Sequence, residues 1–347
     1  MIGLATDTMT QRPDLLSERP RDPLSDVLRA VRLTGALFFV VDAGAPWEAH
    51  VPDGAVVATT VLPRTQHVIS YHVVTRGSCW GSLAGGRPVP LEAGDVLVLP
   101  HGDPYFIATA PRPRTTPDVN HDLGFFREMA AGRLPFSIRY GTGRDRLHLV
   151  CGFLGCDLRP FNPLLATLPR LLRVPGAYGS PRDPLTRLID FTLEEAREPR
   201  VGGDSVRVRL SELLFLEVVR RHLTALSGTE PGWLAGLRDP VVGRALGLLH
   251  ERPAHAWSLP SLAKDVAASR SALAERFTDL VGVPPMQYLT RWRIQVAARL
   301  LADGDAKVST VAREVGYDSE AAFSRAFKKI AGVPPAAWRA RPRIIRA

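Results

Sequence analysis

A nine-residue stretch occurs twice in this chain, 50 positions apart: Phe277-Thr278-Asp279-Leu280-Val281-Gly282-Val283-Pro284-Pro285 returns as Phe327-Lys328-Lys329-Ile330-Ala331-Gly332-Val333-Pro334-Pro335. Upstream of each copy the pattern predicts a short helix, a turn and a second helix. In the first unit these are Pro260–Val266, residues 267–269 and Arg270–Leu280. In the second they are Ser309–Val315, residues 316–318 and Ser319–Ile330. A duplicated pair of short helices limits the fold of the last third of the chain more than any other feature.

The residue types fit two helix-turn-helix units. Ala263 and Ala312 sit where two helices must approach closely. Leu262, Val266, Leu273 and Phe277 recur on one apolar face, and Val311, Val315, Phe323 and Phe327 repeat it. Gly316 suits the left-handed backbone of a sharp turn. Ser258, Ser269 and Asp318 are expected to cap helix starts. Val-Pro-Pro ends each unit, because proline cannot continue a helix. Between the units Met286–Ala302 reads as one rod, about 26 Å long at 1.5 Å per residue. That length approaches the roughly 34 Å between successive major grooves on one side of DNA. A generic helical domain with a chance repeat would not repeat the punctuation as well.

These residues resemble the AraC/XylS family of bacterial regulators. Leu262-Ala263, Ser269-Arg270-Ser271, Arg276-Phe277, Gly282-Val283-Pro284-Pro285 and Tyr288-Leu289 carry the first half of the likeness. Trp292-Arg293 and Ala298-Arg299-Leu300-Leu301 carry the connecting helix. The second half rests on Val311-Ala312, Val315-Gly316-Tyr317, Ser319-Glu320, Phe323-Ser324-Arg325-Ala326-Phe327-Lys328, Gly332-Val333-Pro334-Pro335 and Trp338-Arg339. Trp338 stands where the family usually has Tyr.

The resemblance implies double-stranded DNA as partner and assigns its readers. Arg270, Ser271, Ala274 and Glu275 form the outward set of the first recognition helix; Ser319, Glu320 and Arg325 form that of the second. Ala274 is short enough to meet a thymine methyl, and Glu275 can accept from cytosine N4. Arg325 matches an arginine that the family places in the groove. Arg291, Arg293, Lys307, Arg313, Lys328 and Lys329 are candidates for phosphate contact, which sets affinity and salt dependence. Each also has a plain reading as a solvated surface charge.

Charge agrees with a polyanionic partner. The chain carries net +9, and from Glu230 onward 18 Lys and Arg stand against 11 Asp and Glu. A generally basic, Arg-rich proteome would give the same excess. The chain holds 3 cysteines, too few for a disulfide framework, and a reducing cytoplasm is the expected location. The N-terminus lacks a signal-peptide pattern, and the apolar run Leu33–Val41 is too short to span a bilayer.

The first half of the chain reads differently. After a loose segment 1–21 and a helix over Asp22–Arg32, strand-like runs appear at Ala36–Val41, Ala55–Val61, His67–Val74, Val89–Leu91, Asp95–Pro100, Tyr105–Ala110 and Leu147–Phe153. Pro111–Asn120 reads as a loop. Many short strands predict a sandwich or barrel. Helices follow at Leu185–Arg197 and Val206–Leu226, with a break over residues 197–203 and a linker over residues 227–232. Leu216, Val219, Leu223 and Leu226 share one face of the second helix, which is expected to be the subunit contact, although the same stripe could pack on the chain's own barrel.

Gly94-Asp95-Val96-Leu97-Val98-Leu99-Pro100-His101-Gly102-Asp103-Pro104-Tyr105 resembles the second cupin motif, with Tyr105 at the position of its final His. The His-x-His pair of the first motif is missing, because His67 and His72 lie five apart and face opposite sides of a strand. No metal site and no cofactor are expected; His72 with His148, Cys151 or Cys156 is the one set worth testing for metal, against a plain reading of buried core residues. Together with Tyr71-His72, Arg76-Gly77-Ser78-Cys79-Trp80 and Leu149-Val150-Cys151-Gly152, the motif looks like the cupin-type sensor of one AraC branch.

The expectation is therefore an α+β protein. A cupin-like β-barrel over residues 22–160 is followed by a helical dimerisation and linker region over 161–232. An all-α domain with two helix-turn-helix motifs occupies 233–341. By resemblance it is a transcription activator that answers a small-molecule effector held near His72, Trp80 and Tyr105, forms a homodimer and meets RNA polymerase. The competing reading is a metal-dependent cupin enzyme with a helical accessory domain, which the incomplete metal motif disfavours.

Overall fold

The computed structural model describes residues 22–31, 33–63, 65–131, 137–176, 182–197, 200–226 and 231–340. The expectations for residues 1–21, for most of the linker and for Arg341 lie outside these.

The first half forms α1 (Pro23–Val31), β1 (Leu33–Gly44), β2 (Glu48–Val51), α2 (Gly54–Val61), β3 (His67–Arg76), β4 (Ser78–Leu83), β5 (Val89–Glu92), β6 (Val96–Leu99) and β7 (Tyr105–Ala108). Next come α3 (Val119–Ala130), β8 (Ser137–Tyr140), β9 (Arg146–Cys156), α4 (Pro163–Thr167), β10 (Leu172–Val174), α5 (Pro184–Arg197) and α6 (Gly203–Ala225). The strands make a six-stranded sheet, ordered β10-β6-β3-β9-β1-β8, and a four-stranded sheet, ordered β2-β7-β4-β5. The expected barrel is thus two facing sheets, which no strand pairing among the described residues closes into a single cylinder.

Alternation along the large sheet explains its place in the middle of three layers. Phe38, Tyr71, Val73, Val98, Val150 and Leu154 face α1, α4, α5 and α6. Phe39, Val41, Val74, Leu97, Leu149 and Phe153 point the other way, toward Leu91, Tyr105 and Ile107 of the small sheet. Both faces are covered, so β3 is buried at eight successive positions.

Three readings of this half need correction. The Val- and Thr-rich run Ala55–Val61 is helical, because the Asp53 carboxylate accepts the Ala55 amide at 2.8 Å and starts a turn. The chain packs there so tightly that a Cβ on Gly54 would lie 2.7 Å from Gly102 Cα. The stretch 111–120 ends in the first turn of α3 rather than running on as loop. The apolar face of α6 is turned inward. Val219 is fully buried, Leu216, Leu223 and Leu226 pack on the same core, and α6 lies against β1, β9 and β10. Ser211 of α6 meets the Tyr71 hydroxyl at 2.8 Å. The stripe therefore holds α6 on its own sheet and is not left over for a second subunit.

The last third is α7 (Trp233–Arg238), α8 (Pro240–Glu251), α9 (Leu259–Asp265), α10 (Arg270–Val281), α11 (Pro285–Asp303), α12 (Val308–Glu314), α13 (Glu320–Ala331) and α14 (Pro335–Arg339). Its first unit shares one continuous core with α1, α4, α5, α6 and the outer face of the large sheet. The second unit has a smaller core of its own, from Ile294 to Trp338. No helix among the described residues is long and apolar enough to cross a membrane.

Candidate nucleic-acid interface

Two helices, α10 and α13, are held with one face outward. Each is started by a serine: Ser269 accepts the Ala272 amide at 3.2 Å and Ser319 accepts the Ala322 amide at 3.4 Å. Each ends on a left-handed glycine, Gly282 at φ +79° and Gly332 at φ +80°. Ser258 and Ser261 form a reciprocal capping box at the start of α9. Asp318 does not cap. The second turn, Gly316-Tyr317-Asp318, is one residue longer than Ala267-Ala268, which places Ser319 at the cap and Asp318 before it.

The buried faces match the duplication. Leu273 and Phe277 in the first unit, and Phe323 and Phe327 in the second, are fully buried. Ala263 and Ala312 are buried where their carbonyls accept the Ala268 and Tyr317 amides at 2.9 Å, closing each turn. Between the units α11 is a 19-residue rod, about 28 Å long. Tyr288 anchors its first half; its hydroxyl takes the Trp233 indole N–H and meets His250 Nε2, both at 2.8 Å. Trp338 ties α14 to its second half through Ala298 O at 3.0 Å.

Arg270, Ser271, Glu275, Ser319, Glu320, Arg325 and Lys328 are exposed, and Ala274 is half-buried between them. Lys307, Arg313 and Lys329 are exposed on the same unit as α13.

Two predicted phosphate ligands are engaged elsewhere. Arg293 is half-buried and spends its donors on backbone: Nε on Pro253 O at 2.6 Å, Nη2 on His255 O at 2.8 Å and Nη1 on Gly316 O at 3.2 Å. It also lies over the Tyr317 ring. Burial lowers its pKa from the usual arginine value, against the opposing pull of Tyr317 and Asp318. It fastens the loop after α8 to the second turn. Arg291 lies 5.9 Å from the Phe161 ring, at the junction with the first half of the chain. Both carry the charge of a phosphate ligand, but a sequence does not show which way a rod's arginines point.

A positioning pair escaped the sequence reading. Arg276 on α10 reaches Asp239 Oδ2 through Nε at 2.7 Å and Nη2 at 2.6 Å. An acidic residue directly before Pro240 was the available signal, since Asp-Pro marks a helix start.

In the sheets, His72 and Tyr105 come together and Trp80 does not. His72 Nε2 meets the Tyr105 hydroxyl at 2.6 Å, and its Nδ1 meets Cys151 Sγ at 3.0 Å. Tyr105 pairs with Leu83 and Trp80 with Ala108, so the two rings occupy opposite faces of the small sheet. Burial lowers the His72 pKa to about 3, keeping the ring neutral, and pushes the Cys151 thiol well above its ordinary range.

These residues do not suit a cupin metal. His148 turns to Asp42 at 3.1 Å, and the Cys156 thiol is buried in the helix-facing core. Among the described residues no three His, Cys, Asp or Glu side chains converge. A neutral thiol and a histidine with both nitrogens engaged make a poor ligand set.

The chain matches two families, Cupin over residues 22–224 and Helix-turn-helix domain over residues 262–341. It is 34% identical to a putative AraC-like transcription regulator of Streptomyces lividans, over 92% of this chain and 99% of that protein. A putative AraC-like transcription regulator of Streptomyces antibioticus is also 34% identical, over 92% and 99%. The HTH-type transcriptional regulator AlkR of Acinetobacter baylyi is 27% identical, over 89% and 95%. These relatives are named as regulators, in keeping with a non-enzymatic role and against a cupin enzyme. With its sheet-rich cupin half, its duplicated helix-turn-helix unit and this likeness along nearly its whole length, the chain belongs to the AraC-like family of DNA-binding transcription regulators.

Proposed function

We propose that this regulator reads double-stranded DNA through α10 and α13, lying in successive major grooves, and that a small molecule acting on the cupin half adjusts its occupancy. The observation that carries the reading is the pair of matched, serine-capped helices. Their inner faces are locked by Leu273, Phe277, Phe323 and Phe327, and their outer faces present Arg270, Ser271, Ala274, Glu275, Ser319, Glu320 and Arg325. Arg325 takes the central base contact, and Lys328 and Lys329 take phosphates.

The effector reading is supported by the continuous core that joins the outer face of the large sheet to the first unit. A ligand shifts DNA occupancy only through unequal affinity for two arrangements of the halves. Activation, contact with RNA polymerase, assembly as a homodimer and a cytoplasmic location belong to the same proposal. Phe191 and Leu213, exposed apolar side chains on α5 and α6, replace the Leu216–Leu226 stripe as the place to look for a subunit contact.

The test is a salt-titrated binding assay with the DNA upstream of the protein's own gene. Tight binding over random duplex, lost on Arg325→Ala, is expected. Equal affinity for random DNA, or an unchanged affinity in the variant, would refute the reading.

A further inference from the structure

The two recognition helices share one register. Their caps Ser269 and Ser319, their core residues Phe277 and Phe327, and their closing glycines Gly282 and Gly332 coincide at an offset of 50. In that register both helices carry a charge at three positions, and the sign reverses at all three. Arg270 answers Glu320, Glu275 answers Arg325, and Asp279 answers Lys329; all six are exposed. Among the described residues Arg270, Glu275, Glu320 and Arg325 have no ion-pair or side-chain hydrogen-bond partner, so their groups are available to a ligand.

Arginine only donates hydrogen bonds and ionised glutamate only accepts them. Along α10 a donor comes first and an acceptor five residues later; along α13 the order is acceptor, then donor. Five residues rise about 7.5 Å, roughly two base-pair steps. In the major groove guanine offers two acceptors, whereas cytosine and adenine offer an amino donor.

We infer that the operator consists of two unlike elements with opposite hydrogen-bonding order. The element under α10 places guanine at Arg270 and an amino-bearing base at Glu275. The element under α13 places an amino-bearing base at Glu320 and guanine at Arg325. Each order is read from the N-terminal to the C-terminal end of its own helix. Affinity is uneven as well. Helix α10 balances Arg270 and Arg276 against Glu275 and Asp279, while α13 sets Arg325, Lys328 and Lys329 against Glu320 alone.

This inference rests on the groove reading above, and the experiment separates the two. Full-length protein is used to select duplexes from a randomised library, and the bound fraction is sequenced. The wild type is expected to enrich two unlike elements. Arg270→Glu combined with Glu275→Arg gives α10 the order of α13; it should exchange the preferred bases in one element and leave the other unchanged. Glu320→Arg combined with Arg325→Glu should alter only the second element. At each matched position the preference should be roughly ten- to hundred-fold. The milder Glu275→Gln and Glu320→Gln variants keep side-chain shape and should each relax the preference at one position. The same base preference at corresponding positions of the two helices, or variants that keep the wild-type motif, would overturn the inference. Absence of any enriched motif for the wild type would instead defeat the groove reading itself.

Discussion

Asp239 holds two helices with one carboxylate. Its Oδ1 accepts the Val241 and Val242 amides at 3.0 and 2.9 Å and so starts α8, while its Oδ2 takes both Nε and Nη2 of Arg276 on α10. The first recognition helix is thus fixed to the helix that opens the domain. Asp239→Ala removes the cap and the anchor together and should destabilise by about 2 kcal/mol. Arg276→Ala leaves the cap in place, and the arginine is half exposed, so it should cost about 1 kcal/mol or less. Thermal unfolding of the two variants checks the order; an equal loss would mean that the cap contributes nothing.

The same carboxylate gives a sign for pH. Burial opposes its ionisation, but the Val242 amide and Arg276 outweigh burial and hold its pKa below the ordinary aspartate value. A depressed folded-state pKa gives stability that is complete above the unfolded value and is lost as pH falls through the folded one. Below about pH 4 the stability gap between wild type and Asp239→Asn should therefore narrow. Denaturant midpoints measured from pH 7 to pH 3 test this, and a gap that widens toward acid would contradict it.

Gly316 and Gly332 look alike in sequence and differ in surroundings. Both have positive φ, +86° and +80°. A Cβ on Gly316 would lie 2.7 Å from the Ala254 backbone, whereas nothing stands within 4 Å of one on Gly332. Gly332→Ala should cost only the left-handed penalty, about 1 kcal/mol. Gly316→Ala must also push the loop after α8 away, and should cost clearly more and weaken DNA binding. Comparable unfolding midpoints for the two would show that the loop yields freely.

Arg293 and Lys328 separate structural cations from phosphate ligands. Lys328→Ala should lower the slope of log affinity against log salt by about 0.9, the loss of one phosphate contact. Arg293→Ala should leave that slope unchanged, lower the melting temperature and weaken binding to every sequence alike. A reduced slope in the Arg293 variant would return that residue to the DNA surface.

The sequence revealed most where two independent copies could be compared. The repeat located both turns, the Ser269 cap and the buried phenylalanines, because each copy vouched for the other, while the extra residue of the second turn drew the second cap one position early, to Asp318 rather than Ser319. Single-copy features were less legible. The Val- and Thr-rich run at 55–61 obeyed strand propensity until Asp53 supplied a cap. The face of α6 was readable as apolar, but whether it met its own sheet or another subunit was a tertiary question. Charge was legible as a total and not as direction, which is why Arg293 stood among the phosphate candidates beside Lys328.

Gln295 gives the sharpest test of how the two halves are joined. It is buried on α11, where its Oε1 accepts the Phe161 amide at 2.9 Å and its Nε2 donates to the Ala30 carbonyl at 2.8 Å. One side chain thus satisfies a backbone group at the end of α1 and another just before α4. Gln295→Leu keeps the volume but strands both groups in an apolar junction, at about 1–3 kcal/mol each. Segment 23–31 should then exchange its amide hydrogens faster, while α13, built on a separate core, should keep its protection. Gln295→Glu retains the acceptor for Phe161 and loses the donor for Ala30, so it should loosen α1 and spare α4. If both variants left segment 23–31 as protected as in the wild type, the halves would be held by apolar packing alone and the glutamine would be incidental.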